Sequence, residues 1–81
     1  MSQFEALNAL NLPAPVYMQT ANFLARMETC LTLVELQRVA DRSDGFVLGI
    51  ETVRAENYGT IEGLHVLLKD AVQAQREVLQ A

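Results

Sequence analysis

From Phe46 onward, Phe46, Ile50, Val53, Asn57, Ile61, Leu64, Leu68, Ala71, Gln75 and Val78 recur at intervals of four, three, four, four, three, four, three, four and three residues. A half-buried strand alternates every second residue, whereas a spacing near 3.6 places these side chains on one face of a helix. The one four-residue stutter, Asn57 to Ile61, falls on Tyr58-Gly59-Thr60, where Gly59 could end a helix and Thr60 could cap the next. Because the seam keeps its phase across the glycine, the pattern predicts a continuous or slightly kinked helix over 43–80. A full break at Gly59 is the alternative.

The preceding segment obeys the same rule. Val16 to Arg42 contains neither Gly nor Pro, and Val16, Thr20, Phe23, Met27, Cys30 and Val34 recur at intervals of four, three, four, three and four. Leu24, Leu31, Leu33 and Leu36 widen this stripe, while Gln19, Asn22, Arg26 and Thr29 form an opposing polar row. The spacing predicts an amphipathic helix over 16–42. It is closed by Asp41-Arg42-Ser43-Asp44-Gly45, the strongest turn signal in the chain, in which Ser43 or Asp44 can cap the second long helix.

Residues 1–15 read as an N-terminal arm. Ser2 and Glu5 have capping-box spacing, and Phe4, Leu7 and Leu10 share a helical face, so a short helix from Gln3 to Leu10 is expected. Asn11 can close it and Pro13 must. Leu12 to Pro15 then forms an extended elbow, with Pro15 suited to the first turn of the next helix.

These elements define an all-α protein: an antiparallel hairpin of two long helices with a short N-terminal helix. At 81 residues the chain is expected to form one domain, 1–81. Small domains usually need a staple, and the single cysteine, Cys30, excludes an internal disulfide. Apolar residues make up 51% of the chain, more than a lone hairpin hides. The expectation is therefore a homodimer in which two hairpins form a four-helix bundle.

Charge narrows the function classes. Ten acidic residues against six basic ones give a net charge of −4, and Arg26, Arg38, Arg42, Arg54, Lys69 and Arg76 are interspersed with acids. Without a basic stripe to displace counterions, nucleic-acid binding is not expected. No stretch approaches the roughly 20 apolar residues that span a bilayer, so no membrane association is expected. The N-terminal sequence carries no basic leader, and with the free thiol this predicts a cytoplasmic protein, acting in the host cytoplasm if the source is a phage or virus.

Two constellations could carry chemistry. Glu62 and His65 lie three apart on a helix, a spacing used by di-metal carboxylate bundles, and a dimer would supply two such pairs with Glu28 or Glu35 as further ligands. Against this, Leu64, Val66, Leu67 and Leu68 leave little polar support for a ligand. Cys30 sits on the apolar stripe, where a core thiol rather than a nucleophile is expected. No Ser/His/Asp set or phosphate-binding glycine loop is present, so neither enzymatic activity nor a cofactor is expected.

The remaining signal is apolar surplus. Tyr17, Met18, Phe23, Met27, Phe46, Val47, Leu48 and Ile50 gather near the proline elbow and the expected turn. They are assigned to a dimer core or to a protein-docking surface, with Met18 and Met27 lending adaptability. Arg38, Arg42, Glu35 and Glu51 form its solvated rim. The sequence thus predicts a small acidic non-catalytic helical protein that self-associates and binds another protein as adaptor, chaperone, anti-activator or inhibitor. The alternative is a metal-binding four-helix bundle built on Glu62 and His65.

Overall fold

A computed structural model describes residues 3–53 and 56–81. Within them the chain forms four packed helices: α1 (Gln3–Ala9), α2 (Ala14–Thr29), α3 (Leu33–Thr52) and α4 (Tyr58–Gln80). At about 1.5 Å per residue, the 23 residues of α4 make the longest rod and account for most of the 37 Å length of a molecule whose other dimensions are 25 and 18 Å. Gln3 and Phe4 of α1 lie beside Gln75 and Val78, while Leu10, just beyond α1, meets Gly63. Tyr17 of α2 donates a 2.8 Å hydrogen bond back to Asn8 Oδ1, and Phe23 of α2 meets Phe46 of α3 with ring centroids 5.5 Å apart. The most extensive packing is between α3 and α4.

The helix expected over 16–42 is divided at Cys30–Thr32. Thr32 is extended, and its side chain accepts a 3.1 Å hydrogen bond from the Glu35 backbone N–H. Glu35 Oε2 in turn accepts from Leu31 N at 3.2 Å. This variant of the capping box satisfies donors that a helix start leaves open. On the other side of the break, Gln75 Nε2 of α4 donates to the Cys30 carbonyl at 3.0 Å. The polar residue within the α4 seam is thereby the partner of a backbone group freed where α2 ends.

The turn expected at Asp41–Gly45 lies inside α3. Apolar or small side chains at Leu36, Ala40, Ser43, Val47 and Ile50 keep a four-three-four-three spacing through it, and all five are buried. Ser43 does not cap a new helix. Its hydroxyl donates to the Ala40 carbonyl at 2.8 Å, which satisfies it inside the core. Gln37 Nε2 donates to Asp41 Oδ1 at 2.9 Å, one helical turn on. Burial of one continuous face therefore outweighs the local turn preference of the segment.

The single helix expected over 43–80 is also interrupted, between Thr52 and Tyr58, so the break precedes Gly59 rather than falling on it. Asn57, not Thr60, is the cap: its Oδ1 accepts from Thr60 N at 2.8 Å. Arg54 and Ala55 lie outside the described residues, as does Ser2 of the capping box expected at the start of α1. Asn11 ends α1 with φ 52°, the left-handed conformation that asparagine tolerates better than most residues.

The core draws on every helix. Leu7 from α1, Leu24 and Met27 from α2, Leu36 and Val47 from α3, and Leu64 from α4 are fully buried. Ile61, Leu67, Leu68 and Ala71 complete the α4 contribution, so Leu64 and Leu68 face inward as the seam predicts. Thr20 is buried with its hydroxyl bonded to the Val16 carbonyl at 2.8 Å. One chain thus contributes four helices to a shared core.

Candidate protein-binding surface

The eight residues assigned to an interface separate into three groups. Phe23, Met27, Val47 and Ile50 are buried in the core of the chain itself, so they present no surface to a partner. α2, α3 and α4 pack on one another and α1 packs on α2 and α4, which covers side chains that an open hairpin exposes. Tyr17 and Phe46 are partly buried and pack against that core. Met18 and Leu48 are exposed.

Other apolar side chains take their place at the surface. At the α2–α3 break Leu31 is 81% and Val34 62% exposed, with Leu33 beside them. Val78 is exposed on the last turns of α4, which the Gln75–Cys30 hydrogen bond brings to the same end. Around the α3–α4 connection Val53 is 72% and Tyr58 78% exposed. Spacing alone puts Val34 on the inward stripe. The phase changes at the break: Leu36, two residues on, is 1% exposed and begins the buried face of α3. Thr32 with Glu35 three positions later is the sequence signal that would have placed the break.

Beside this end, α2 and α3 border a shallow, open groove of about 310 Å³. Arg26 in the last turn of α2 lines it together with Arg38 and Arg42 of α3, and Thr29, Cys30, Val39 and Glu35 complete the lining. Three of the six basic residues of an acidic chain therefore share one groove. Glu35 is its one carboxylate, and that carboxylate is engaged by the Leu31 backbone N–H. Among the described residues none of the three guanidinium groups is held in an ion pair. Arg38 and Arg42 are four apart on one helix, a relation visible in sequence, but the approach of Arg26 depends on the helix break at Cys30–Thr32.

Of the residues of the metal alternative, Glu62 and His65 stand three apart on α4, as their spacing predicts, while Glu28 and Glu35 line other grooves. Glu62 borders a groove with Ala6 and Leu10, Glu28 borders another with Phe4 and Val78, and Glu35 belongs to the arginine groove. His65 is half-buried on α4 and lines none of these. Among the described residues no three His, Cys, Asp or Glu side chains are grouped so as to hold an ion. Cys30 is buried, with Sγ 3.2 Å from the Arg26 carbonyl. Its thiol is pushed up from its ordinary value, first by burial and then by the Glu35 carboxylate, which is the reverse of nucleophile activation.

Among the described residues no helix is long and apolar enough to cross a membrane. Comparison with family models, with curated proteins and with solved structures finds no match.

Proposed function

We propose that this chain is a non-catalytic helical protein that binds another protein, as adaptor, chaperone, anti-activator or inhibitor, and that it also self-associates. The observation that carries the reading is the exposed apolar end at Leu31, Leu33 and Val34, which the chain's own core leaves uncovered. Large exposed side chains grouped at one end and bordered by charge have the composition of a contact surface. The thiol of Cys30 is buried and its pKa is raised, which does not favour a nucleophilic role.

The test compares wild type with Leu31→Asp/Val34→Asp, which charges this end without touching the core. Light scattering at micromolar concentration should give a mass above the 9.0 kDa of one chain for wild type and a lower mass for the variant. Affinity purification should recover a protein at stoichiometric yield with wild type and lose it with the variant. A wild-type monomer at high concentration removes self-association. Equal recovery by both proteins removes this end of the bundle as the binding surface.

A further inference from the structure

We infer that the groove between α2 and α3 receives an acidic segment of the partner protein, its carboxylates held by Arg38, Arg42 and Arg26 and an adjoining apolar side chain held by Val34 and Leu31. The inference rests on the protein-binding reading above and names the chemistry of the partner. Its basis is charge complementarity. The chain carries −4 overall, yet three guanidinium groups line this one groove against a single carboxylate. Glu35 accepts from the Leu31 N–H at the end of the groove and supplies one negative charge, which leaves the lining with two more guanidinium groups than carboxylates.

Spacing gives the segment a pattern. Arg38 and Arg42 are one helical turn apart, which sets their Cβ atoms about 6 Å from each other. Acidic residues four apart on a partner helix have the same separation. Val34 stands one turn before Arg38 on the same face, and it is exposed, as is Leu31 at the turn. A segment presenting an apolar residue and then two acids at four-residue intervals matches Val34, Arg38 and Arg42 in order. Arg26 reaches the groove from the facing helix and gives a second side to the clamp. Guanidinium suits this role because its planar fork bonds a carboxylate with two donors at once.

The experiment uses the full chain and two fluorescein-labelled helical peptides. One carries leucine, glutamate and glutamate at successive four-residue intervals, and its counterpart has glutamine in place of both glutamates. Fluorescence anisotropy should show the acidic peptide binding wild type at least ten-fold more tightly than the glutamine peptide. That preference should vanish in Arg38→Gln/Arg42→Gln and should weaken as salt is raised. Both arginines are exposed, and circular dichroism of the variant should match wild type. Equal binding of the two peptides, or no binding of either, overturns the inference. An oligonucleotide of equal charge bound as tightly as the acidic peptide also overturns it, because the groove is then a general polyanion site. A fall in light-scattering mass on Arg38→Gln/Arg42→Gln overturns it in favour of a second copy of the chain. If the glutamine peptide binds as well as the acidic one and Leu31→Asp/Val34→Asp abolishes both, the acidic specificity fails while the protein-binding reading stands.

Discussion

Gly45, Gly49 and Gly63 all lie within helices, in different surroundings. A Cβ at Gly45 or Gly49 meets nothing within 4 Å, and neither residue has a positive φ. Helix propensity then acts alone, so Gly45→Ala and Gly49→Ala should each stabilise the protein by about 0.5 to 1 kcal/mol. A Cβ at Gly63 would stand 2.7 Å from Leu10 Cδ2, so alanine there must displace a side chain packed against the core. Gly63→Ala should therefore gain less than the other two in urea denaturation, or lose. If Gly45→Ala destabilises, residues 41–45 form the turn that their composition suggests rather than the middle of α3. Cys30 gives a pH-dependent counterpart. With its folded pKa raised, the neutral thiol is the favoured form, so its contribution to stability is present below the ordinary thiol range and is lost as pH rises through the folded value. Alkylation of native protein should be slow near neutral pH. It should accelerate only at a higher pH than alkylation of the unfolded chain, and coincident profiles would place the thiol in water.

At the scale of elements, the helices that follow the two interruptions, α3 and α4, are each N-capped by a side chain. Thr32 accepts from Glu35 N and Asn57 accepts from Thr60 N. Thr32→Ala and Asn57→Ala should each cost about 0.5 to 2 kcal/mol, the range measured for lost N-caps. A continuous helix through either position predicts the opposite sign, because alanine is the better helix former. Denaturation of these two variants therefore locates the breaks in solution without a further structure. The apparent continuity across 50–61 has a simple origin: Ile50 and Ile61 are eleven positions apart, about three turns at 3.6 residues per turn. The apolar phase is the same whether or not the helix continues between them.

For the whole molecule, the question is how much of the apolar content one chain encloses. Leu64 and Leu68 of α4 stand in a core with side chains from the other three helices. Leu64→Ala or Leu68→Ala should each cost about 2 to 5 kcal/mol, because little in so closely packed a bundle can collapse into the space. A change below about 0.5 kcal/mol, the size of an ordinary surface substitution, would place α4 with another face inward. If the core belongs to one chain, this loss should not depend on protein concentration. A core completed by a second chain makes the denaturation midpoint rise with concentration, and it does so most steeply in the weakened variants.

Apolar spacing determined that this protein is helical and that α4 turns Ile61, Leu64, Leu68 and Ala71 inward, and Pro13 determined that α1 ends before it. Those features come from local geometry, since a 3.6-residue period has one structural meaning and proline removes a donor wherever it stands. Tertiary structure decided where the helices break and which apolar residues remain outside. Asp41–Gly45 carries every local mark of a turn and is helical because Ala40, Ser43 and Val47 are buried together. Cys30–Thr32 lacks glycine and proline and breaks nevertheless, held by Thr32, Glu35 and a glutamine 45 positions from Cys30. The break directs Val34 outward and brings Arg26 to the groove of Arg38 and Arg42, a juxtaposition that depends on contacts between distant residues and so leaves no local periodicity to read.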